Sequence, residues 1–163
     1  VVFSHGKDSG PWGLKITALA ETARAAGFSV ESVDYRGIDA VDARIQRLLE
    51  TCRALPEYPV LVGSSLGAYL SWEAAGALQP RGLFLMAPAL LLPALPPLRT
   101  PRVDCPVAIV HGWRDDVVPC EDSIRFAREH RADLHLLDGD HGLHDQLEVL
   151  RQLFATFLLL RMG

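Results

Sequence analysis

The feature that most constrains the fold is the regular alternation of short apolar runs with longer segments of helical periodicity. The short runs contain few polar residues, which is typical of parallel strands that are covered on both faces. The predicted strands are Val1–Ser4, Ser29–Tyr35, Val60–Ser64, Leu83–Ala87, Val107–His111 and Asp133–Leu137. Because strands that alternate with helices need right-handed crossovers, the sequence predicts an α/β protein. The expected architecture is a three-layer α/β/α fold around a six-stranded, mostly parallel, doubly wound sheet.

The segments between the strands are predicted as helices that pack on the sheet. The first helix has an apolar face made of Trp12, Ile16, Leu19, Ala20 and Ala23. The second helix has a polar face, predicted to meet solvent, made of Asp42, Arg44, Arg47, Glu50 and Arg53. The segment from Ala68 to Leu78 is apolar nearly all round, so it predicts a buried helix. Two further helices are predicted, over 123–131 and from Leu147 onward.

Composition and charge narrow the classes of protein that fit. The 163 residues suffice for one domain with a sizeable core, so a single domain over 1–163 is predicted. The proportions of 49% hydrophobic and 22% charged residues are typical of a globular protein. A net charge of −4 argues against the basic surface that nucleic-acid binding needs. The most apolar stretch, Leu83–Leu98, is interrupted by prolines, so no membrane span is expected.

Cysteine usage predicts a reducing environment. Cys52, Cys105 and Cys120 are odd in number and form no Cys-x-x-Cys pair, which argues against a disulfide framework or a zinc site. No signal peptide is recognisable, so a cytoplasmic location is expected, although the sequence begins without Met. The oligomeric state stays open, because periodicity does not separate a dimer interface from the core.

The most informative motif is Gly63–Gly67, a Gly-x-Ser-x-Gly stretch that follows a predicted strand and opens a predicted helix. A serine at the tip of so sharp a turn adopts a strained backbone conformation. The residues two before and two after it then crowd the neighbouring elements, so both lack side chains. Ser65 is therefore the candidate nucleophile, whereas Ser64 lacks flanking glycines at the right offsets. The plainer alternative is that Ser65 only caps the helix.

Polar residues follow the carboxyl ends of the predicted strands, where ligands bind in sheets of this type. A serine hydroxyl needs a base within hydrogen-bond reach, and the base needs an orienting carboxylate. Ser65, Asp115 and His141 occur in the chain order expected for such a sheet, each in a loop after a strand. Asp116 is the rival for the acid, and His144 is the rival for the base.

Five short segments together carry a family resemblance. They are Ser-His-Gly-Lys-Asp at 4–8, Asp-Tyr-Arg-Gly at 34–37, the serine turn at 63–67, His-Gly-x-x-Asp-x-x-Val-Pro at 111–119 and Gly-Asp-His at 139–141. In this order and over nearly the whole length, they resemble a small member of the α/β-hydrolase superfamily. The complete set is highly specific, whereas any one segment is not. A short excursion rich in Pro and Leu, over 88–106, takes the place of the lid that larger relatives carry.

The resemblance implies roles for individual residues. It places the catalytic acid at Asp115 and the general base at His141. The oxyanion hole would use the backbone N–H of Leu66, the residue after the nucleophile, and by resemblance the N–H of Lys7. His5 and His111 are expected to be structural, His5 by bracing its loop and His111 by packing at a strand end. No cofactor is expected, and a metal site over 140–144 is disfavoured because no other region supplies a ligand at suitable spacing.

The predicted activity is that of a serine hydrolase that cleaves small carboxylic esters or thioesters through an acyl-enzyme intermediate. Its expected partner is a small-molecule substrate. The alternative is a catalytically silent member of the same fold that acts as a binding or scaffolding module. Acyl transfer, amide cleavage and perhydrolysis would use the same residues, so the sequence does not separate them from hydrolysis of an ester.

Overall fold

The computed structural model describes residues 1–161, and over these residues it has an all-parallel sheet of six strands. The strands are β1 (Val2–Ser4), β2 (Glu31–Val33), β3 (Val60–Ser64), β4 (Gly82–Met86), β5 (Val107–Gly112) and β6 (Asp133–Leu137). Their order across the sheet is β2-β1-β3-β4-β5-β6, so the chain winds outward in both directions from the middle. The predicted fold class is confirmed, and residues 162–163 of the predicted domain lie outside the described residues.

Helices cover both faces of the sheet. They are α1 (Leu14–Ala25), α2 (Val41–Arg53), α3 (Leu66–Leu78), α4 (Cys120–His130) and α5 (Leu147–Leu159), with a 3₁₀ turn over His144–Gln146. Helices α2, α3 and α4 build one apolar core, and α1 and α5 build the other. Successive strand residues point to opposite cores: Leu61 packs with the first and Val62 with the second. Because both faces are covered, the strands read as continuous apolar runs.

Helix α3 runs through the centre of the first core, as its apolar sequence predicts. All residues from Leu66 to Ala75 are buried. The helix begins at Leu66, two residues before the predicted start at Ala68, and its first turn therefore lies directly after Ser65.

Two predictions about helix faces are wrong. Trp12 precedes α1, which begins at Leu14, and its side chain is 49% exposed with the Arg24 guanidinium 5.7 Å from the ring centroid. Arg44 does not face solvent but is buried, and its Nε donates a hydrogen bond of 2.6 Å to the Ile38 carbonyl oxygen. The reason is that the loop after β2 folds over this side of α2, which a helical periodicity does not reveal.

The segment over 88–106, all of which the structure describes, contains no helix or strand. It is attached to α3 by polar contacts: the Trp72 indole N–H donates to the Thr100 carbonyl oxygen at 2.8 Å, and the Glu73 carboxylate accepts from the Arg99 and Thr100 amides. Leu90 is buried, while Leu92 and Leu95 are only partly covered. In the described range 1–161, no helix is long and apolar enough to cross a membrane.

Candidate active site

The turn between β3 and α3 places Ser65 at the carboxyl edge of the sheet. Its backbone is strained, with φ 54° and ψ −117°. A Cβ on Gly63 would lie 2.5 Å from Ala68 Cα, and one on Gly67 would lie 1.9 Å from the Ser4 carbonyl oxygen. Both flanking positions therefore require glycine, for the reason that the sequence motif suggests.

Two further loops meet at this edge, over 113–119 after β5 and over 138–143 after β6; they are called the acid–base loops below. A Cβ on Gly112 would lie 2.2 Å from the Gly139 carbonyl oxygen, so the two backbones approach as closely as glycine allows. The Trp113 amide donates to the Leu137 carbonyl oxygen at 2.8 Å, and the Arg114 amide donates to the Gly139 carbonyl oxygen at 2.9 Å. The loops are therefore joined backbone to backbone.

Of the three residues predicted as a triad, His141 lies within hydrogen-bond distance of both Ser65 and Asp115. His141 Nε2 lies 3.1 Å from Ser65 Oγ, and His141 Nδ1 lies 2.8 Å from Asp115 Oδ2. Because Nδ1 faces a carboxylate oxygen it carries the hydrogen, which leaves Nε2 free to accept the serine proton. The rivals are placed differently: Asp116 and His144 are exposed, in contrast to the buried carboxylate of Asp115.

The Asp115 carboxylate is surrounded by hydrogen-bond donors. Oδ1 accepts from the Val117 amide at 2.9 Å and from the Val118 amide at 2.8 Å. Burial alone would raise the pKa of Asp115, but the hydrogen bonds from Val118, His141 and Val117 outweigh it and hold the pKa below its usual range. The carboxylate is therefore ionised at neutral pH and can stabilise a cationic imidazole beside it.

His111 also contacts this carboxylate, a contact that is not among the predictions made from the sequence. As predicted, its side chain is fully buried at the end of β5. Its Nε2 lies 2.9 Å from Asp115 Oδ2 and 3.0 Å from the Val118 carbonyl oxygen, so it carries a hydrogen and donates it. Its Nδ1 lies 2.7 Å from Ser123 Oγ on α4. The only sequence signal for this contact was the four-residue spacing of His111 and Asp115 within one motif.

The loop after β1 forms the other side of the serine. His5 is buried, its Nδ1 donates to the Gly6 carbonyl oxygen at 2.7 Å, and its Nε2 accepts from the Tyr35 amide at 3.0 Å. Burial is the main reason that the pKa of His5 is lowered, so the ring is neutral at pH 7. These contacts fit the predicted bracing role. Lys7 from this loop and Leu66 from α3 border the cleft in front of Ser65, and their roles as oxyanion donors stay predictions.

The cleft in front of Ser65 has a volume of about 540 Å³. Its polar lining includes Lys7, Asp8, Ser9, Lys15, Ser65, His141 and His144, and its apolar lining includes Leu66, Ala89, Leu92, Leu95 and Val117. Sequence reasoning gave Lys15 no role, because helical periodicity places it away from the apolar face of α1. Among residues 1–161, no group of three or more His, Cys, Asp or Glu side chains is arranged to hold a metal ion.

The sequence also matches a family model, which describes the alpha/beta hydrolase family and extends over residues 1–161. The chain belongs to the alpha/beta hydrolase family. In the structure of this α/β hydrolase, the serine turn follows β3 and the loop that contains Asp115 follows β5. Both segments belong to the set on which the family resemblance was based.

Related proteins support this assignment at several levels of similarity. An α/β hydrolase superfamily member from Xanthomonas campestris pv. campestris is 38% identical, with a TM-score of 0.89 over 97% of this chain and 95% of that one. A lidless α/β serine hydrolase from Xanthomonas campestris has a TM-score of 0.78 at 22% identity, over 95% of this chain and 78% of that one, and so shares the fold. Palmitoyl-protein thioesterase ABHD10, mitochondrial, from Bos taurus is 23% identical over 91% of this chain and 69% of its own length. The similar proteins therefore include hydrolases and a thioesterase.

Proposed function

We propose that this α/β hydrolase is a serine hydrolase that cleaves small carboxylic esters or thioesters through an acyl-enzyme intermediate. One observation carries the proposal: the unbroken contact from Ser65 Oγ through the His141 imidazole to the Asp115 carboxylate, at 3.1 Å and 2.8 Å. A serine hydroxyl is a poor nucleophile at neutral pH, and this arrangement supplies the base that activates it.

The reaction proceeds in two displacements. Ser65 Oγ forms a bond to the substrate carbonyl carbon while His141 Nε2 takes the hydroxyl proton, and Asp115 stabilises the resulting imidazolium. The bond to the leaving alcohol or thiol breaks as His141 returns the proton to it. A water molecule then attacks the acyl-enzyme and loses a proton to His141. The bond between the acyl carbon and Ser65 Oγ breaks as His141 returns that proton to Oγ, which releases a carboxylic acid and regenerates free Ser65.

The negative charge on the carbonyl oxygen needs donors during both displacements. The backbone N–H of Leu66, at the first position of α3, and that of Lys7 are the proposed donors. The loop that carries Lys7 lies beside the serine, which supports this arrangement: a Cβ on Gly6 would be in ordinary van der Waals contact with Ser65 Cβ, at 3.5 Å. No metal or cofactor enters the proposed steps.

Labelling with a fluorophosphonate, read by intact mass, tests the proposal. An activated serine Oγ attacks the phosphorus of the reagent and displaces fluoride, so one phosphonyl adduct is expected on the wild-type protein and none on Ser65→Ala. Ser64→Ala is the matched control, because it removes the neighbouring hydroxyl from β3 and should keep the adduct. Thermal unfolding of all three proteins checks that each is folded.

Hydrolysis of a neutral ester such as 4-nitrophenyl acetate provides the second readout. Ser65→Ala should lose turnover, and a variant that kept wild-type hydrolysis would contradict the mechanism. A well-folded wild-type protein that takes no adduct and hydrolyses no ester would instead favour the binding-module alternative.

A further inference from the structure

Lys15 lies in the candidate active site, although it is only the second residue of α1. Its side chain is partly buried and lines the same cleft as Ser65 and His141. Burial lowers the pKa of Lys15 to about 8, against the attraction of Asp115 and Asp140. The fold therefore keeps an ammonium group where its charged form is disfavoured, and a bound anion would offset that cost.

The Lys15 ammonium is only partly used by the protein. Within the described residues its Nζ donates one hydrogen bond, of 3.3 Å, to the His141 carbonyl oxygen, and no carboxylate oxygen lies within 4.0 Å of it. The two nearby carboxylates have other donors: Asp115 accepts from two amides and two imidazoles, and Asp140 accepts from the Leu143 amide. An ammonium group has three N–H donors, so donors remain for a ligand in the cleft.

Two ammonium groups line the cleft. Lys7 and Lys15 lie there beside the exposed carboxylate of Asp8. The Asp115 carboxylate is also charged and near Lys15, but its side chain is fully buried and already accepts four hydrogen bonds. An anionic group in the cleft can therefore approach the lysines directly, whereas Asp115 is screened from it by its own donors.

The cleft also has two chemically different walls. The segment that follows β1 contributes the lysines, and the segment that follows β4 contributes Leu92 and Leu95. Strands β1 and β4 are the neighbours of β3, which carries Ser65 at its end. A substrate whose carbonyl lies at Ser65 meets a cationic wall and an apolar wall.

We propose that the substrate carries an anionic group, a carboxylate or a phosphate, that binds the Lys15 ammonium while the scissile carbonyl lies at Ser65. This inference rests on the hydrolase function proposed above and adds a substrate class to it. The anionic group belongs either to the acyl part or to the leaving part of the substrate, and matched substrates distinguish the two.

Two substrate pairs, each differing in charge, test the proposal. Mono-4-nitrophenyl adipate against 4-nitrophenyl hexanoate places the anion on the acyl part. Butyryl-coenzyme A against butyryl-N-acetylcysteamine places it on the leaving part. The readout is the ratio of kcat/KM for the anionic member to kcat/KM for the neutral member. In the pair whose anion lies on the correct part of the substrate, the ratio should be about tenfold lower for Lys15→Met than for the wild type. This is the effect of losing a charge-assisted hydrogen bond.

Arg47→Met is the matched control, because it removes an exposed positive charge from α2 outside the cleft and should leave the ratio unchanged. If Lys15→Met unfolds, Lys15→Gln replaces it, and the wild-type protein provides an independent measurement through pH. Lys15 is charged below its pKa, so the ratio should be highest near pH 7 and fall as the pH rises through about 8 and beyond. A bound anion shifts this fall to higher pH.

Other titratable or charged groups around Lys15 also act on an anionic substrate, but they are unchanged by Lys15→Met or Lys15→Gln, so comparison with the wild type at each pH isolates the effect of Lys15. They are Asp115 from the loop after β5, Asp140 and His141 from the loop after β6, His144 from the 3₁₀ turn, and Lys7 and Asp8 from the loop after β1. A wild-type protein that hydrolyses the neutral members without preferring an anionic one overturns this inference alone. So does a preference that survives Lys15→Met. If the wild-type protein hydrolyses none of the four and takes no fluorophosphonate adduct, the proposed function fails and this inference fails with it.

Discussion

The acid–base loops and the segment over 88–106 border the same cleft, but different forces hold them. The acid–base loops are fixed by amide-to-carbonyl hydrogen bonds and by the close approach of Gly112 to Gly139. The segment over 88–106 contributes leucines that are only partly covered. Its side-chain hydrogen bonds run to α3, and one backbone hydrogen bond of 3.2 Å, from the Ala89 amide to the Ser65 carbonyl oxygen, ties its start to the serine turn.

This difference separates what chemistry needs from what substrate fit needs. Proton transfer between Ser65 and His141 depends on atoms held to within a few tenths of an ångström, which directed hydrogen bonds provide. An apolar wall needs only volume and shape, and several leucine arrangements provide those. Substitutions that remove the contacts holding the acid–base loops should therefore have large effects, and substitutions over 88–106 should have small ones.

The largest effect is expected for Asp115→Asn. The amide cannot stabilise the imidazolium and favours the wrong tautomer of His141, so kcat for 4-nitrophenyl acetate should fall by about 10³- to 10⁴-fold. Asp116→Asn is the matched control, since that side chain is exposed, and it should retain activity close to the wild type. A greater loss in Asp116→Asn would reassign the acid.

Gly112→Ala should break the acid–base loops apart. The new Cβ would meet the Gly139 carbonyl oxygen at 2.2 Å and the Asp140 carbonyl oxygen at 2.8 Å, and because both are backbone atoms they cannot move aside as a side chain would. We expect a loss of at least about 3 kcal/mol in the free energy of unfolding, measured by urea denaturation. Gly13→Ala is the control, because its Cβ would lie 3.9 Å from the nearest atom, and it should unfold near the wild-type midpoint.

Substitution of His111 should have an intermediate effect, because this residue positions Asp115 without touching the substrate. Loss of its hydrogen bond in His111→Phe should lower kcat about tenfold. The loss also removes a donor from the carboxylate and makes it more basic. The His141–Asp115 pair then holds its proton more tightly, so the acid limb of the pH–rate profile, which reports this pair, moves to higher pH. A profile that keeps its wild-type shape would assign His111 a packing role only. His111→Gln, which keeps a donor, should recover part of the activity.

Leu92→Ala should have the smallest effect. The side chain is partly exposed, so its truncation should lower the free energy of unfolding by less than about 1 kcal/mol. Because Leu92 lines the cleft, KM for 4-nitrophenyl hexanoate should rise several-fold while KM for the acetate changes less. A kcat loss as large as that of His111→Phe would show that this wall does more than fit the substrate.

The sequence predicted the fold because most strands are short apolar runs and most helices have an apolar periodicity. It predicted Ser65 because the turn itself demands glycine on both sides. It did not predict contacts between residues whose proximity depends on how separate elements pack. Lys15 meets the loop after β6 only because α1 and α5 cover the same face of the sheet. Arg44 is buried by a loop whose path has no periodicity, and the contact between His111 and Ser123 joins a strand end to a helix.

The joining of the acid–base loops has a consequence for motion. Asp115 and His141 lie in the loops that follow the adjacent strands β5 and β6. Ser65 follows β3, which is two strands away from β5. Loops tied by shared backbone hydrogen bonds open as one cooperative unit. In a hydrogen-exchange experiment, the Trp113 and Arg114 amides should therefore show the same free energy of opening, and each opening would carry the acid and the base away from the serine together.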